Sequence, residues 1–186
     1  MKRVAVFGNA GGGKSTLAER LAVITGLPLH VIDIMQFPDG KYQPEEKDGG
    51  KISPTAFHKL HSDILRQDRW IIDGFDSVAS TWERFAVADT LVYVDLPILA
   101  HYWGVTTRFG AGLLKNPKGW PERSPIWEST LDGYKVVGRC HRYLTPKYRQ
   151  YVAEVASLKK IHHLKSRSAM TELIRTVIDE QRRKSS

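Results

Sequence analysis

Residues 3–16 read RVAVFGNAGGGKST, and this stretch decides which fold the chain can adopt. The segment before the first glycine is short, apolar and rich in β-branched valine, which is typical of a buried strand. Glycines follow at once, and the next residues, STLAERLAVITG, carry Leu17, Leu21 and Ile24 at helical spacing up to a glycine stop at Gly26. The stretch therefore predicts a strand, a glycine-rich loop and a helix in immediate succession.

The loop has the spacing Gly8-x-x-x-x-Gly13-Lys14-Ser15, which is the P-loop pattern. Glycines let consecutive backbone N–H groups turn inward around a phosphate, and the N-terminal dipole of the following helix adds to the attraction. A lysine at this position reaches the β- and γ-phosphates, and the neighbouring hydroxyl can ligate Mg²⁺. We therefore predict that ATP and Mg²⁺ bind here. The predicted nucleotide-binding residues of the loop are Gly8, Asn9, Ala10, Gly11, Gly12, Gly13, Lys14, Ser15 and Thr16.

The rest of the chain alternates apolar, strand-like runs with helical patterns. Two of these runs, WIID at 70–73 and TLVYVDL at 90–96, are nearly continuous, as a parallel sheet covered on both faces requires. The pattern predicts a three-layer α/β/α fold with a five-stranded parallel sheet in one domain, residues 1–186. The predicted strands are 3–7, 29–33, 70–73, 90–96 and 159–164.

Helices are predicted between these strands. One begins with Ser53-Pro54 as its N-cap and first position, with Phe57, Leu60 and Ile64 as its buried stripe. Residues 38–52 are polar and are predicted to form an exposed connection. A Gly/Pro-rich stretch at 110–125 interrupts the second half, and we predict a helical, arginine-rich lid over roughly residues 105–145. Gly104, Gly110 and Gly112 could permit its movement.

Composition narrows the class of protein. The single cysteine, Cys140, excludes an internal disulfide framework, and no apolar run has the length of a membrane span, so we expect a soluble, cytoplasmic protein that does not enter membranes. Residues 101–186 hold 17 Lys/Arg against 7 Asp/Glu, whereas residues 1–100 hold 11 against 13. A basic second half suggests anionic partners: nucleotide phosphates, a phosphorylated substrate or nucleic acid.

Three aspartates stand at predicted strand ends: Asp33, Asp73 and Asp95. Ligands of open α/β sheets bind beyond the carboxyl ends of the strands, and an acid there can hold Mg²⁺. Asp73 is predicted to do so together with Ser15, and Gly74 after it leaves room for a ligand. Asp33 could either contact a phosphate acceptor or serve the fold alone. Asp95 precedes Leu96-Pro97 and is predicted to cap the next helix.

The chain resembles the adenylate-kinase-like P-loop kinases through GNAGGGKSTLAERLAVITGLPLHVID, WIIDGFDS and ADTLVYVDLP. The longer phrase IIDGFDSVASTWERFAVADTLVYVDLP is similar to a bacterial family known as DNA topology modulation proteins. The resemblance covers residues 1–100 well and the remainder more loosely. It implies a P-loop phosphotransferase that uses ATP and Mg²⁺.

The chain departs from adenylate kinases on the acceptor side. Those enzymes carry an arginine soon after the second strand and another in the phrase DGFPR, whereas here IMQF follows Asp33 and Asp76 follows the phrase DGF. An aspartate repels a monophosphate, which disfavours AMP as the acceptor. The resemblance to shikimate and gluconate kinases implies instead that Asp33 orients an acceptor hydroxyl. The predicted acceptor-binding residues are Asp33, Gly74, Asp76 and Arg84; for Arg84 a surface or intrahelical ion pair is an equal alternative.

The resemblance also implies cationic groups from the lid. Arg108 is the first candidate to stabilise the migrating phosphate, and Arg123, Arg139 and Arg142 are weaker ones. Arg167, after the last predicted strand, is implied to contact the nucleotide.

The favoured function is transfer of the ATP γ-phosphate to a small molecule, which could be a nucleotide, a nucleoside or a hydroxyl compound. Its predicted catalytic residues are Lys14, Asp33 and Arg108. Two alternatives stay open: a nucleotide-regulated DNA-binding protein, which is less favoured, and an NTP-binding protein without kinase activity.

Overall fold

The computed structural model describes residues 1–75, 77–112, 121–123 and 125–185. The strands are β1 (Arg3–Gly8), β2 (Leu29–Val31), β3 (Trp70–Asp73), β4 (Thr90–Val94) and β5 (Lys160–Leu164). The helices are α1 (Lys14–Thr25), α2 (Ile32–Met35), α3 (Pro54–Leu65), α4 (Val78–Val87), α5 (Ile98–Gly112), α6 (Ile126–Tyr143), α7 (Thr145–Glu154) and α8 (Arg167–Ser185). Short 3₁₀ turns at Pro38–Gly40 and Lys47–Gly49 shape the predicted connection 38–52.

The five strands form one parallel sheet in the order β2-β3-β1-β4-β5, and helices cover both of its faces. This arrangement confirms the predicted three-layer α/β/α fold. In the register, Asp73 on β3 lies beside Val6 on β1 and Val31 on β2. The end of β3 is therefore immediately next to the point where β1 enters the glycine loop.

Alternate residues of β1 point into two different cores. Val4 and Val6 pack with α1 and α8, in a layer of aliphatic side chains that includes Leu21. Phe7 faces the opposite layer, where its ring stacks on Tyr93 with the centroids 4.9 Å apart. Each fully buried side chain of this kind stabilises the fold by about 1.5–3 kcal/mol. Because both faces of β1 are buried, the strand holds the loop that follows it in a fixed position.

The end of β2 and the buried face of α3 differ from the prediction. β2 ends at Val31, and Asp33 lies in the helical turn α2, because this turn keeps Ile32 fully buried while the chain leaves the sheet. In α3, Ser53 caps the helix as predicted, with its Oγ accepting from the Ala56 N–H at 3.1 Å. The buried stripe of α3 includes His61 in place of Leu60, which is 40% exposed, since the helix is rotated slightly relative to the assumed face.

The predicted lid corresponds in part to α5 and α6, which pack antiparallel. Tyr102 lies near Tyr134, and Phe109 meets Trp127 edge-on with centroids 5.4 Å apart. Most of the Gly/Pro-rich stretch, residues 113–120 and 124, falls outside the described residues. None of the helices in the described ranges combines the length and hydropathy that a membrane span requires.

Candidate active site

The glycine loop runs from the end of β1 into the N-terminus of α1. Gly11 and Gly13 adopt φ values of +71° and +85°, which lie in the left-handed region that favours glycine. A Cβ atom on Gly8 would lie 2.2 Å from the carbonyl oxygen of Val94, so β4 approaches the loop too closely for any side chain there. Lys14 already turns over the loop, because its Nζ donates to the carbonyl of Asn9 at 2.8 Å.

Helices α5 and α6 hold the loop from its outer side. His101 on α5 is buried, and its Nδ1 lies 2.9 Å from the carbonyl oxygen of Ala10. Burial lowers the pKa of His101, and because a carbonyl only accepts, Nδ1 carries the ring proton. Asn9 donates through Nδ2 to the carbonyl of Val137 on α6 at 3.0 Å. The sequence carries no signal for these contacts, because each joins residues that are far apart in the chain.

Gly104 is where α5 touches the loop most closely. A Cβ on Gly104 would lie 1.9 Å from the carbonyl oxygen of Gly11. We interpreted this glycine from the sequence as a residue that could permit lid movement, but its position gives a direct reason for the missing side chain. The backbones of α5 and the P-loop are in contact.

Two carboxylates lie beside the loop. Asp73 is 1% exposed, and neither of its oxygens completes a hydrogen bond within the described residues, although the Ser15 hydroxyl is close enough to lower its pKa. Burial is the larger effect, and it raises the pKa of Asp73. Burial, and next the charge of Asp73, raise the pKa of Asp33 from 3.8 to about 6. The charges of Lys14, Arg108 and Arg84 oppose both shifts, so all five groups share one site.

The residues present fit the Mg²⁺ that the P-loop pattern implies. Mg²⁺ takes oxygen ligands, and Asp73 offers two buried carboxylate oxygens beside the hydroxyl of Ser15. Within the described ranges no group of three or more His, Cys, Asp or Glu side chains could hold a metal ion. Mg²⁺ characteristically keeps several waters and binds substrate phosphates besides one or two protein oxygen ligands, which this small donor set allows.

Arg84 on α4 is buried, so of the two alternatives the surface ion pair does not describe it. Its Nη1 donates to the carbonyl of Gly74 at 3.0 Å, and its Nη2 donates to the Thr81 hydroxyl at 3.0 Å. Gly74 has a φ of +110°, and a Cβ there would lie 2.8 Å from Oδ2 of Asp33. Arg84 thus positions the backbone that passes directly beside Asp33. Asp76 lies outside the described residues.

The predicted arginines divide into two groups. Arg108 on α5 is half-buried near Asp33 and Asp73. Its pKa is lowered, because burial outweighs the opposing charges of the two carboxylates. Arg167 begins α8, and its Nη1 lies 3.6 Å from where a Cβ of Gly13 would be. Arg139 and Arg142 lie on α6 and are not among the charges that act most strongly on Asp33 or Asp73. Arg142 instead lies 5.5 Å from the ring centroid of Tyr143.

Residues 121–123 join the lid to the connection after α2. The N–H of Tyr42 donates to the carbonyl of Glu122 at 2.8 Å, and the N–H of Glu122 donates to the carbonyl of Gly40 at 2.9 Å. Lys41 and Glu122 also form an exposed ion pair at 3.8 Å. We call this connection, formed by residues 40–42 and 121–123, the lid bridge. Arg123 at its end is exposed.

Asp95 does not cap α5, contrary to the prediction from its sequence position. Its carboxylate accepts from Nε and Nη2 of Arg149 at 2.8 and 2.9 Å, and it lies 2.8 Å from Nε2 of His163. Although burial acts in the opposite direction, these partners leave the pKa of Asp95 lowered. The carboxylate contacts residues that are distant in sequence instead of the start of α5, because α7 brings Arg149 to it and β5 brings His163.

Comparison with solved structures agrees with this architecture. The chain superposes on shikimate kinase from Acinetobacter baumannii with a TM-score of 0.54 at 16% identity, over 97% of this chain and 92% of that one. It also superposes on a protein from Chloroflexus aurantiacus, provisionally described as a kinase, with a TM-score of 0.51 at 16% identity, over 95% and 96% of the two chains. At this identity the likeness shows the fold, which is that of P-loop kinases. No family model and no curated protein matches the chain.

Proposed function

We propose that this protein is an ATP-dependent phosphotransferase that moves the γ-phosphate of ATP to a hydroxyl group of a small molecule. The observation that carries the proposal is the convergence of two carboxylates, Asp33 and Asp73, with Lys14 and Arg108 beside a P-loop. A structural ion pair does not require a carboxyl whose pKa is about 6 at the carboxyl edge of a parallel sheet.

The donor side follows from the loop. The backbone N–H groups of residues 8–16 and the N-terminus of α1 would bind the phosphates of ATP, and Lys14 would contact the outer ones. Ser15 and Asp73 would hold Mg²⁺, which supplies positive charge against the phosphates. Arg167 lies at the Gly13 end of the loop, where it would contact the nucleotide.

The acceptor side centres on Asp33. In its ionised form the carboxylate accepts the proton of the acceptor hydroxyl, while the hydroxyl oxygen forms a bond to the γ-phosphorus and the bond from that phosphorus to the leaving ADP oxygen breaks. Arg108 stabilises the charge on the phosphoryl group during transfer. Positioning supplies most of the acceleration, and the proton transfer contributes about 10²–10⁴-fold.

The acceptor is a hydroxyl compound or a nucleoside in preference to a nucleoside monophosphate. The residues directly after Asp33, IMQF, include no arginine, and Arg84 is engaged with the Gly74 carbonyl and with Thr81. The resemblance to the adenylate-kinase-like P-loop kinases supports a phosphotransferase of this type, whereas the resemblance to the DNA topology modulation proteins is the motive for the DNA-binding alternative. We further propose that residues 1–186 act as one cytoplasmic domain, with the lid at roughly 105–145.

The proposal is tested by coupled ADP release over a panel of polyols, hydroxy acids, nucleosides and nucleoside monophosphates. We expect at least one hydroxyl compound to stimulate Mg²⁺-dependent ADP release, and we expect Lys14→Ala to abolish the stimulation. Lys59→Ala, on the exposed surface of α3, is the control and should behave as wild type. Tight ATP binding with no stimulation by any member of the panel would favour an NTP-binding protein without kinase activity.

A further inference from the structure

A second cavity opens at the carboxyl ends of β4 and β5, beside the first turn of α5. Its volume is about 510 Å³, and it is lined among others by Asp95, Ile98, His141, Arg149, His163 and Lys165. No residue of the P-loop lines it, and neither Asp33 nor Asp73 does. A volume of this size is within the range of small-molecule sites, which is about 300–1,000 Å³.

The lining of this cavity is cationic. Arg149 and Lys165 line the cavity together with one carboxylate, Asp95, which accepts from two nitrogens of Arg149 and lies 2.8 Å from Nε2 of His163. The charge of Asp95 is thereby compensated, and the charge of Lys165 remains. The side chain of Arg149 is 54% exposed, and the Asp95 carboxylate holds its planar fork in one orientation. A fixed guanidinium with a lysine beside it is suited to a phosphate group.

Two of the helices that line this cavity, α5 and α6, are also hydrogen-bonded to the P-loop. Ile98 lines the cavity in the first turn of α5, and His101, one turn later on the same helix, donates from Nδ1 to the carbonyl of Ala10. On the other side, His141 lies one helical turn after Val137, whose carbonyl accepts from Asn9. A ligand that moves the first turn of α5 or the end of α6 therefore moves groups bonded to the loop.

We propose that this cavity is a second ligand site, separate from the nucleotide and acceptor sites, which binds a small molecule through a phosphate group. Arg149 and Lys165 bind the phosphate, and the rest of the ligand lies against Pro97 and Ile98. Occupancy changes the affinity of the P-loop for ATP, and by linkage ATP changes the affinity of this site by the same factor.

The probe is glycerol 3-phosphate, titrated calorimetrically into protein saturated with Mg²⁺ and a non-hydrolysable ATP analogue, so that the P-loop is already occupied. Glycerol and inorganic phosphate are titrated in parallel to separate the contributions of the two parts. We expect glycerol 3-phosphate to bind and Lys165→Gln to weaken it about tenfold, as the loss of a charge-assisted contact predicts. Arg149→Gln should weaken it at least as much.

The choice of variants and one further control keep the result interpretable. Arg149→Gln removes the main partner of Asp95 and therefore also affects stability, whereas Lys165 is exposed and its replacement leaves the fold intact. Arg175→Gln, on the exposed surface of α8, removes the same charge elsewhere and should bind the probe as wild type does. In wild type, but not in Lys165→Gln, glycerol 3-phosphate should shift the dissociation constant of ATP at least about twofold, a small coupling.

Three outcomes would overturn the proposal. One is absence of binding by both phosphate probes. A second is equal binding by wild type and Lys165→Gln, which would assign the probe to another site. The third is weaker ATP binding in Lys165→Gln with no phosphate probe present, which would make this cavity part of the nucleotide site. None of these outcomes depends on finding the phosphate acceptor, so the proposed transfer reaction is tested separately.

Discussion

At the scale of single residues, Asp33 and Asp73 determine what the site can do. Both carboxylates are turned into the protein beside Lys14, and burial raises the pKa of each. The difference is that Asp73 lies at the end of β3 beside a hydroxyl, whereas Asp33 lies in α2 against the Gly74 backbone. Two acids with distinct surroundings can divide the work of holding Mg²⁺ and of receiving a proton.

The first prediction concerns the reaction. Because Asp33 must be ionised to accept a proton and its pKa is about 6, kcat/KM of the wild type should rise with pH through about 6 and then level off. Asp33→Asn should lower kcat by about 10²–10⁴-fold and remove this ascending limb. Steady-state kinetics between pH 5 and pH 8 on the acceptor found by the panel measures both effects. An unchanged limb in Asp33→Asn would assign the titration to another group.

The second prediction concerns stability. Between the unfolded pKa of 3.8 and the folded pKa of about 6, the folded protein binds the Asp33 proton more tightly, so this group lowers stability as pH rises through that window. At pH 8 the cost is about 3 kcal/mol, an upper figure for a partly screened group. Asp33→Asn should therefore raise the free energy of unfolding at pH 8 and have little effect near pH 4.

Urea denaturation at pH 4 and pH 8 measures this difference. Asp63→Asn, an exposed replacement on α3, is the control and should change stability by less than about 0.5 kcal/mol at either pH. Equal destabilisation by Asp33→Asn at both pH values would show that the ionised Asp33 carboxylate does not lower the stability of the folded protein.

At the scale of elements, the contact between α5 and the P-loop is the decisive one. Gly104 and Gly11 approach so closely that no side chain fits between them. In addition, His101 on α5 donates a hydrogen bond to the loop, and Asn9 of the loop donates one to α6. The loop is thus shaped from two sides, by β1 beneath it and by the helices of the lid region beside it.

The third prediction tests this contact. Gly104→Ala would place a Cβ 1.9 Å from the Gly11 carbonyl oxygen, so the loop or the helix must shift, and we expect ATP affinity to fall about tenfold or more. Gly110→Ala, on the same helix, meets nothing within 4 Å and should leave ATP binding unchanged while stabilising the helix slightly. Fluorescent-nucleotide titration compares the two. Equal affinities would show that the loop adapts without loss.

The sequence predicted the type of each strand well, because continuous apolar runs are required wherever both faces of a sheet are buried. It predicted the end of β2 incorrectly, since the choice between one more strand residue and a helical turn depends on the packing of Ile32. It also predicted incorrectly that Asp95 caps a helix, because nothing in the local sequence shows that Arg149 and His163 reach that carboxylate in the fold.

At the scale of the whole molecule, the lid bridge connects residues 121–123, which precede α6, to the connection that follows α2. Its hydrogen bonds run between backbone groups of residues 40–42 and residue 122, and the accompanying ion pair of Lys41 with Glu122 is exposed. Exposed pairs contribute only about 0–1 kcal/mol, so the backbone bonds carry the connection.

The fourth prediction follows. Glu122→Pro removes the N–H that donates to Gly40, so we expect KM for the acceptor to rise several-fold while ATP affinity is retained. Glu122→Ala removes only the ion pair with Lys41 and is the matched control, with kinetics close to wild type. Initial-rate kinetics with varied acceptor measures the effect. A similar KM for the two variants would indicate that the bridge does not order the acceptor side.

The fifth prediction concerns the uneven charge. Several basic groups of the second half pair with acids on their own helices, including Lys135 with Asp132 and Arg175 with Glu172. We therefore expect duplex DNA to bind weakly, with an affinity that falls steeply with salt and does not change with ATP. Anisotropy titrations between about 50 and 200 mM salt measure this slope. Tight, ATP-dependent binding at the higher salt would favour the DNA-binding alternative.

The sequence by itself determined the glycine-rich P-loop, the parallel α/β architecture and the two acids beside the loop, because each depends on local spacing or on burial over a few consecutive residues. Only the tertiary structure decided that Gly104 and His101 support the loop, that Arg84 holds the Gly74 backbone, and that Asp95 belongs to a second cavity. Those contacts join residues about 10 to 90 positions apart, and such pairings are set by how helices and strands pack.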